Sequence, residues 1–459
     1  MPDLSRRAFM RQACCAAIGT TGILSALGQL RMIGAVAADG LPGRAAALPA
    51  DYKALVCLFL KGGSDGTNLI VPSDNSNYAA YARARSGIAI AQSGLLPIAP
   101  KRYSDGRSYG LHPSAPGLRD LFTEGKLAVL ANVGTLLRPI TLAGYRAGRN
   151  NPTQLFSHSD QILQWQSSIP DQPFESGWGG RLADLLDAMN SNNQVSMSIS
   201  LDGSNSFQRG RTVNQIAINP GGVPILSSGS SLATQRAAGI KSILGDAEAN
   251  ALSAAFGGIT LGSINDGELL TTVLRTAPTL TTSFPGTPTG RSLAMVAKLI
   301  SVSQALGLKR QIFFVKSDGW DTHAAQNGVL ASLLAEISAA MKSFYAATLE
   351  LGVGNQVTTF TASDFGRTYI PNADGTDHGW GNHQLIMGGA VQGGEIYGKM
   401  PSLTADADDD TGRGRWIPTT SVDEYNATLA TWFGVSASNL PVVLPNIGRF
   451  AKPNLGFMG

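Results

Sequence analysis

Apolar runs along the chain predict the strands of a buried sheet. Residues 54–60 and 127–133 are almost wholly apolar, and the first run ends in a glycine-rich turn. Unbroken runs of this length are typical of strands that are buried on both faces. Residues 311–315 and 356–361 predict two more strands, joined by a helix whose apolar residues recur every three or four positions over 330–344. The pattern therefore predicts an α/β fold in which helices cover a β-α-β sheet.

Weaker patterns fill in the rest of the chain. Four further helices are predicted, at residues 118–124, 157–166, 182–189 and 422–433. Residues 195–289 are rich in serine, glycine and threonine, with short alternating runs that favour a cap or side excursion. We therefore expect one domain over residues 38–459, within which 195–289 forms a cap or insert.

The N-terminus has the order of an export signal. Arg6 and Arg7 precede Phe9 and a moderately apolar stretch, which fits a twin-arginine signal. Ala35 and Ala37 supply the small residues of a cleavage site, so residues 1–37 are expected to be removed. The mature protein would then be periplasmic or secreted, with the twin-arginine translocase as a partner during export. A soluble helix or an uncleaved anchor is the alternative.

Composition excludes some classes of function. The 459 residues are 43% hydrophobic and 15% charged, with a net charge of +3, as in a packed globular protein. No basic cluster in the body of the chain indicates a nucleic-acid partner. Beyond Cys14 and Cys15, in the predicted signal, Cys57 is the remaining cysteine, which excludes an internal disulfide and predicts a small buried side chain.

Aspartate and histidine recur where the predicted strands end. Ligands of open α/β sheets bind at the carboxyl ends of the strands, so these groups are expected to converge on a divalent metal. A mixture of carboxylates and imidazoles favours Zn or Mn over Mg or Ca. A surface loop or a simple hydrogen-bonded pair is the alternative for each Asp/His pair taken alone. The candidate ligands are Asp65, Asp321, His323, Asp364, His378 and His383.

The nucleophile and the anion-binding groups are harder to assign. Ser159, beside His158 and near a predicted helix start, is a candidate nucleophile with His158 as its catalytic partner, although Ser159 also fits a helix N-cap. Thr67 is a second candidate. Arg181 and Arg367 are candidates to bind an anionic group through a guanidinium fork, with ordinary salt bridges as the alternative.

An ordered series of motifs resembles a known exported family. That family is called domain of unknown function 1501 and is grouped with the alkaline-phosphatase-like superfamily, which includes sulfatases. The resemblance spans roughly residues 54–398. The motifs are LVCLFLKGGSDGTNLIVP, LHPSAPGLRDLFTEGKLAVLANVG, SHSDQ, GWGGRLAD, SDGWDTH, SDFGRT and DHGWGNHQLIMGGAVQGGEIYG.

The resemblance implies a fold and a site. It implies a mostly parallel central sheet with helices on both faces and a metal site at the carboxyl edge, where two divalent ions flank a phosphate or sulfate ester. Asp65 resembles the first-strand ligand, and the pair Asp321 and His323 resembles a later one. Phe365, however, stands where the superfamily usually has a histidine. A single-metal site, or a site kept for binding only, therefore stays open.

Two functions follow from these features. The first is an exported metal-dependent hydrolase that acts on a small anionic substrate, a phosphate or sulfate ester. The second is a non-catalytic exported protein that keeps the fold for binding or assembly. The sequence predicts neither the substrate nor the oligomeric state.

Overall fold

A computed structural model describes residues 50–191, 195–223, 230–245 and 251–459 of the chain, without the side chains of 251 and 252. The predicted export signal and its cleavage site, residues 1–37, lie outside the described residues. The start of the predicted domain, up to residue 49, lies outside them as well.

The centre of the protein is a nine-stranded, mostly parallel sheet. Its path runs β11-β5-β10-β9-β1-β8-β6-β7, and β12 also pairs with β5. Within it β10 runs antiparallel to both of its neighbours, β5 and β9. A separate three-stranded sheet has the order β2-β4-β3. The strands are β1 (Lys53–Leu60), β2 (Ile70–Pro72), β3 (Leu96–Ile98), β4 (Tyr109–Leu111), β5 (Leu127–Gly134), β6 (Ser198–Ser200), β7 (Ile216–Ala217), β8 (Arg310–Ser317), β9 (Val357–Ser363), β10 (Asn382–Gly388), β11 (Glu395–Gly398) and β12 (Thr420–Ser421).

Helices surround the main sheet. We number them in chain order among the described residues. They are α1 (Gly66–Leu69), α2 (Asn75–Arg85), α3 (Pro116–Thr123), α4 (Leu142–Arg146), α5 (His158–Ser167), α6 (Trp178–Leu186), α7 (Ser231–Gly245), α8 (Ala251–Leu274), α9 (Pro288–Ser301), α10 (Gln326–Glu350), α11 (Val422–Phe433) and α12 (Leu440–Val443).

Apolar side chains pack on both faces of the sheet. On one face the Phe360 ring of β9 lies 5.6 Å from Trp178 of α6 and 5.9 Å from Tyr425 of α11, centroid to centroid. On the other face Leu60 and Thr361 line a small cavity together with side chains of α10. The prediction of a mostly parallel sheet with helices on both faces is therefore confirmed.

The elements follow the sequence pattern closely where the pattern was strong. The four predicted strands are β1, β5, β8 and β9, and the predicted helix at 422–433 is α11. Cys57 is a buried free thiol on β1, as expected. Within residues 195–289, β6 joins the main sheet beside β8, whereas α7 and α8 form a helical pair. The boundaries of a cap or insert stay a prediction.

One described helix has the length and composition needed to cross a membrane. It is α10, Gln326–Glu350. Its side chains Leu334, Ile337 and Met341 are buried, and the helix packs against α3 and α9. A core helix of this kind passes the same test of length and hydropathy.

Candidate metal centre

The site lies at the edge of the sheet where three neighbouring parallel strands, β8, β1 and β9, end. Strand β1 pairs with β8 on one side and β9 on the other, so the residues that follow these strands share one edge. Asp65 follows β1, Asp321 follows β8 and Asp364 follows β9. Strand β10 is antiparallel to β9 and therefore begins at this same edge. The preceding loop carries His378, and the first turn of α5 adds His158.

Three imidazoles gather around the carboxylate of Asp321. Its Oδ2 lies 3.4 Å from Nε2 of His158, and its Oδ1 lies 3.1 Å from Nε2 of His323. Nε2 of His378 is 3.4 Å from the same Oδ1 and 3.0 Å from Nε2 of His323. The ligand atoms of His158, Asp321 and His378 all lie within 4.8 Å of one another. His323 completes the group on the side of His378.

The far nitrogen of each ring faces an oxygen atom. Nδ1 of His158 lies 2.6 Å from Oδ2 of Asp364, and Nδ1 of His378 lies 2.6 Å from the backbone oxygen of Phe156. Nδ1 of His323 lies 3.5 Å from Oδ1 of Asp377. A carbonyl or carboxylate oxygen can only accept, so the tautomer with its proton on Nδ1 satisfies the short contacts of His158 and His378 and leaves Nε2 free to bind a cation. The three Nε2 atoms face the Asp321 carboxylate, an arrangement that a cation between them would stabilise.

His158, Asp321 and His378 lie close enough together to share a divalent ion of the zinc type, and His323 lies against two of them. With metal–ligand bonds of about 2.0–2.1 Å, a tetrahedral site has ligand–ligand separations of roughly 3.3 Å. The three Nε2 atoms lie 3.1–3.4 Å from a carboxylate oxygen of Asp321, and those of His323 and His378 lie 3.0 Å apart. Neutral imidazoles with a carboxylate suit zinc or manganese, and hydrogen-bonded Nδ1 atoms are the usual support for histidine ligands. The donor set therefore fits such an ion in its chemistry, and the distances from the imidazoles to Asp321 fit it in spacing.

Charges around the site keep Asp321 ionised and His378 neutral. Partial burial raises the pKa of Asp321, but the hydrogen bond and charge of Arg367 outweigh it, so the net pKa is below the usual value. Nη1 of Arg367 donates to Oδ1 of Asp321 over 2.6 Å. Burial lowers the pKa of His378, which favours its neutral, ligating form.

Asp364 supports a candidate ligand instead of joining the cluster. It is fully buried, and its Oδ1 accepts a hydrogen bond from the Gly62 backbone over 2.9 Å while Oδ2 holds His158. Burial raises its pKa, and the bonds to Gly62 and His158 partly offset this. The predicted ligand Asp364 is therefore a positioning residue for the His158 ring.

Aromatic rings form one wall of the site. The Phe365 ring lies 4.8 Å from the His158 ring and 4.6 Å from the His378 ring, centroid to centroid. This residue stands where a histidine was expected from the superfamily. Gly63 has a φ of +85°, and a Cβ there would come within 2.5 Å of the Phe365 ring. The turn after β1 therefore requires glycine so that Phe365 can pack against the imidazoles.

Asp65 does not join the cluster, which corrects its predicted role. Its carboxylate forms a buried salt bridge with Arg85, whose side chain is fully buried. Gln326 donates to Oδ2 over 2.6 Å, and the backbone amides of Thr67 and Asn68 donate to Oδ1. Asp65 thus caps α1 and is neutralised by a guanidinium, so its lone pairs are already in use.

His383 is also placed outside the cluster. It lies on β10, a strand that the apolar pattern did not predict, and it is 5% exposed. Its Nδ1 accepts a hydrogen bond from the backbone amide of Asn132 over 3.1 Å. Burial lowers the pKa of His383 to about 4, with a partial offset from Asp65. His383 is therefore a neutral core histidine.

The two predicted arginines have structural contacts. Arg181 donates to the backbone oxygens of Ser167, Ser176 and Val443, so it ties α5 to α6 and α12. Arg367 is 2% exposed and is held by Asp321, Thr376 and the Gly62 carbonyl. Neither guanidinium is free to bind a substrate anion.

The predicted nucleophile lies beside the cluster without contacting it. Ser159 is exposed in the first turn of α5, and its hydroxyl bonds to Asp160 and Ser157 over 3.2 Å each. The N-cap position belongs to Ser157. His158, predicted as the catalytic partner of Ser159, instead points its Nε2 at Asp321. Thr67 is 5% exposed within α1.

Several residues of the site were missed from the sequence. Asp377 was not among the candidate ligands, yet its Oδ1 lies 3.5 Å from Nδ1 of His323. Phe156 contributes its backbone oxygen, and its φ of +74° is unusual for a bulky residue. Arg85 and Gln326 carry no local signal, because only the tertiary fold brings them to Asp65. Gly379, where a Cβ would lie 2.8 Å from the carbonyl carbon of Arg367, does mark a close approach.

Comparisons with known proteins agree with the family resemblance. Residues 269–435 match the model of a family described as "Protein of unknown function (DUF1501)". The family resemblance is confirmed over this segment. It includes Asp321, His323, Asp364 and His378, but neither Asp65 nor His158. Comparison of the sequence with curated proteins yields no match.

Among solved structures, the chain is similar to several at low sequence identity, including the following. PsFucS1 sulfatase from Pseudoalteromonas sp. has a TM-score of 0.36 and 12% identity over 91% of this chain and 73% of that one. The C-terminal periplasmic domain of EcEptC from Escherichia coli, in complex with Zn, has a TM-score of 0.34 and 12% identity over 91% and 96%. The soluble domain of lipooligosaccharide phosphoethanolamine transferase A from Neisseria meningitidis has a TM-score of 0.34 and 8% identity over 89% of this chain and 99% of that domain.

Proposed function

We propose that this protein is an exported hydrolase of phosphate or sulfate esters that depends on one divalent metal ion, zinc or manganese. The observation that carries the proposal is the convergence of three Nε2 atoms on the Asp321 carboxylate at 3.1–3.4 Å. His158, His323, His378 and Asp321 are the proposed ligands. A bound divalent ion would acidify water at neutral pH and neutralise charge on an ester oxygen.

The surrounding residues perform the positioning in this proposal. Asp364 and the Phe156 carbonyl hold two of the rings with Nε2 facing inward. Arg367 holds Asp321 by a direct hydrogen bond. Fixed supporting bonds of this kind reduce the reorganisation that binding and catalysis require. The Phe365 ring excludes water from one side of the imidazoles.

The nucleophile under this proposal is a water molecule. Ser159 is not assigned that role, because its hydroxyl is engaged with Ser157 and Asp160. The exposure of the site supports access by an ester, since the His323 side chain is 44% exposed and that of Asp321 is 42% exposed.

Export is part of the proposal and rests on the N-terminal sequence. The twin arginines, Arg6 and Arg7, precede an apolar stretch and small residues suited to cleavage. The twin-arginine route carries folded cargo, which suits a protein that acquires its metal before it crosses the membrane. A fusion of residues 1–37 to a reporter would be exported under this proposal, and export would be lost when both arginines become lysine.

Turnover is the test that separates a hydrolase from a binding protein. We expect the purified protein, stripped with a chelator and reloaded with zinc or manganese, to hydrolyse a chromogenic phosphate or sulfate ester. Asp321→Asn should abolish turnover and metal binding, because it removes the central carboxylate. Asp318→Asn is the matched control, since it removes a charge from the same loop at a residue that pairs with Lys316.

The outcomes distinguish the alternatives. Metal at one ion per chain without turnover of either ester class would favour a non-catalytic binding or assembly protein. A protein that takes up no metal after reloading would overturn the proposed site itself.

A further inference from the structure

Arg415 lies next to the metal centre and has unused donors. Its Nε donates to the backbone oxygen of His378 over 2.8 Å. Its guanidinium carbon lies 4.9 Å from the centroid of the Phe156 ring, a cation–π contact. In the described part of the chain, its two terminal nitrogens contact no acceptor and it pairs with no carboxylate. The charge of Arg415 is therefore not neutralised by a carboxylate, and its two terminal nitrogens can donate to a ligand.

The neighbouring arginines differ in this respect. Arg367 is bonded to Asp321, Thr376 and Gly62. Arg413 is paired with Asp377 and donates to the Pro371 carbonyl over 3.0 Å. The guanidinium groups of Arg367 and Arg413 therefore already donate to protein acceptors beside the site.

A buried aspartate organises the loop that presents Arg415. Asp410 is 1% exposed, and its Oδ1 accepts from the backbone amides of Gly412, Gly414 and Arg415 at 2.7–3.0 Å. Trp416, the next residue, pairs with Asp410 in an isolated β-bridge. The backbone of Arg415 is thus fixed before any ligand arrives, which lowers the entropic cost of binding.

We propose that Arg415 binds the anionic oxygens of the ester substrate, a tetrahedral oxyanion held beside the metal. The inference rests on the proposed function and names the residue that recognises the phosphate or sulfate group. A planar guanidinium with two free terminal nitrogens matches two oxygens of such an anion. Its contacts with His378 and Phe156 place it beside one ligand and one supporting residue of the site.

Inorganic sulfate is the probe for this role. We expect sulfate to bind the zinc-loaded full chain, measured by titration calorimetry at constant ionic strength. It should also inhibit turnover competitively in the chromogenic assay. Arg415→Gln should weaken sulfate binding about 10- to 100-fold, the usual effect of losing a charge-assisted pair of hydrogen bonds. The sulfate affinity of Arg415→Lys should lie between those of the wild type and Arg415→Gln, because lysine keeps the charge but lacks the paired terminal nitrogens of a guanidinium. Zinc affinity should be unchanged in both variants.

A charge control and the zinc measurement make the test decisive. Arg102→Gln removes the same charge at an exposed residue that contacts Glu395 and Tyr397, and it should bind sulfate as the wild type does. Unchanged sulfate affinity in Arg415→Gln, with zinc bound and turnover intact, would overturn the inference and leave the proposed function standing. Loss of zinc in both Arg415 variants would also overturn it, since Arg415 would then only position His378. Absence of zinc from the wild type would instead refute the proposed function.

Discussion

Replacement of Asp364 by asparagine tests how the site is held together. In the wild type, Oδ1 of Asp364 accepts from Gly62 and Oδ2 accepts from Nδ1 of His158 over 2.6 Å. Asparagine has one acceptor and one donor in these places, so it cannot serve both N–H groups. Either the Gly62 amide loses its partner, or the His158 ring moves its proton to Nε2, which then faces Asp321 and the metal.

The expected loss follows from that mismatch. A hydrogen bond to a charged group contributes about 1.5–3 kcal/mol, and loss of a carboxylate behind a metal-bound histidine typically costs about 10- to 100-fold in metal affinity. We therefore expect Asp364→Asn to bind zinc about 10- to 100-fold more weakly, measured by competition with a chromophoric chelator. Asp318→Asn, which removes a charge from an exposed residue near the same edge, should bind zinc as the wild type does.

An unchanged zinc affinity would count against this role of Asp364. If Asp364→Asn is folded and its zinc affinity lies within about twofold of the wild type, His158 is not held by Asp364 in the metal-bound protein. The melting temperature of the zinc-free variant shows separately whether the lost bond to Gly62 destabilises the fold.

Three further predictions follow from buried ionisable groups. Burial raises the pKa of Asp423 to about 8, so the folded protein keeps a proton that the unfolded chain releases near pH 4, and stability falls as pH rises between these values. Urea denaturation should therefore show Asp423→Asn to be more stable than the wild type by about 1–3 kcal/mol at pH 9 and equal to it near pH 4; a constant difference would contradict this. Arg85→Met should lower the free energy of unfolding by about 3–5 kcal/mol in the same assay, because it leaves Asp65 buried and unpaired. Adding Asp65→Asn should recover part of this loss, and no recovery would contradict the importance of the pair. His383→Gln should keep its zinc, whereas His378→Gln should lose at least tenfold in zinc affinity; equal losses would return His383 to the ligand set.

The sheet and the position of the site could be predicted because both follow from local pattern. Strands buried on both faces have continuous apolar runs in their sequence, and the carboxyl ends of neighbouring parallel strands lie at the same edge of the sheet. Asp321 and Asp364 therefore had to lie near one another once β8 and β9 flank β1. His378 could be placed near them only as a loop residue.

The errors arise where the partner is distant in sequence. Strand β10 is antiparallel and begins with Asn382, His383 and Gln384, three polar residues that are all buried. Three polar residues in a row give no apolar run, so no strand was predicted at His383. Asp65 was expected to meet a metal, but the cation beside it is Arg85, 20 residues later on α2. Spacing alone does not reveal which positive charge neutralises a buried carboxylate.

Roles within the site were harder to predict than its location. Asp364 and Asp321 both follow a strand, and the sequence gives them equal standing as ligands. Burial distinguishes the roles of the two aspartates, because Asp364 is fully buried whereas the Asp321 side chain is 42% exposed. Only the fold shows that one carboxylate meets the imidazoles directly and the other supports His158 from behind.

Anomalous diffraction at the zinc edge, from crystals of the zinc-loaded protein, would show where the ion binds. We expect one strong peak per chain, enclosed by the Nε2 atoms of His158, His323 and His378 and by the carboxylate of Asp321 at about 2.0–2.1 Å. A fully loaded protein with no peak among these four side chains, or with its zinc beside Asp65 and His383, would contradict the proposed metal centre.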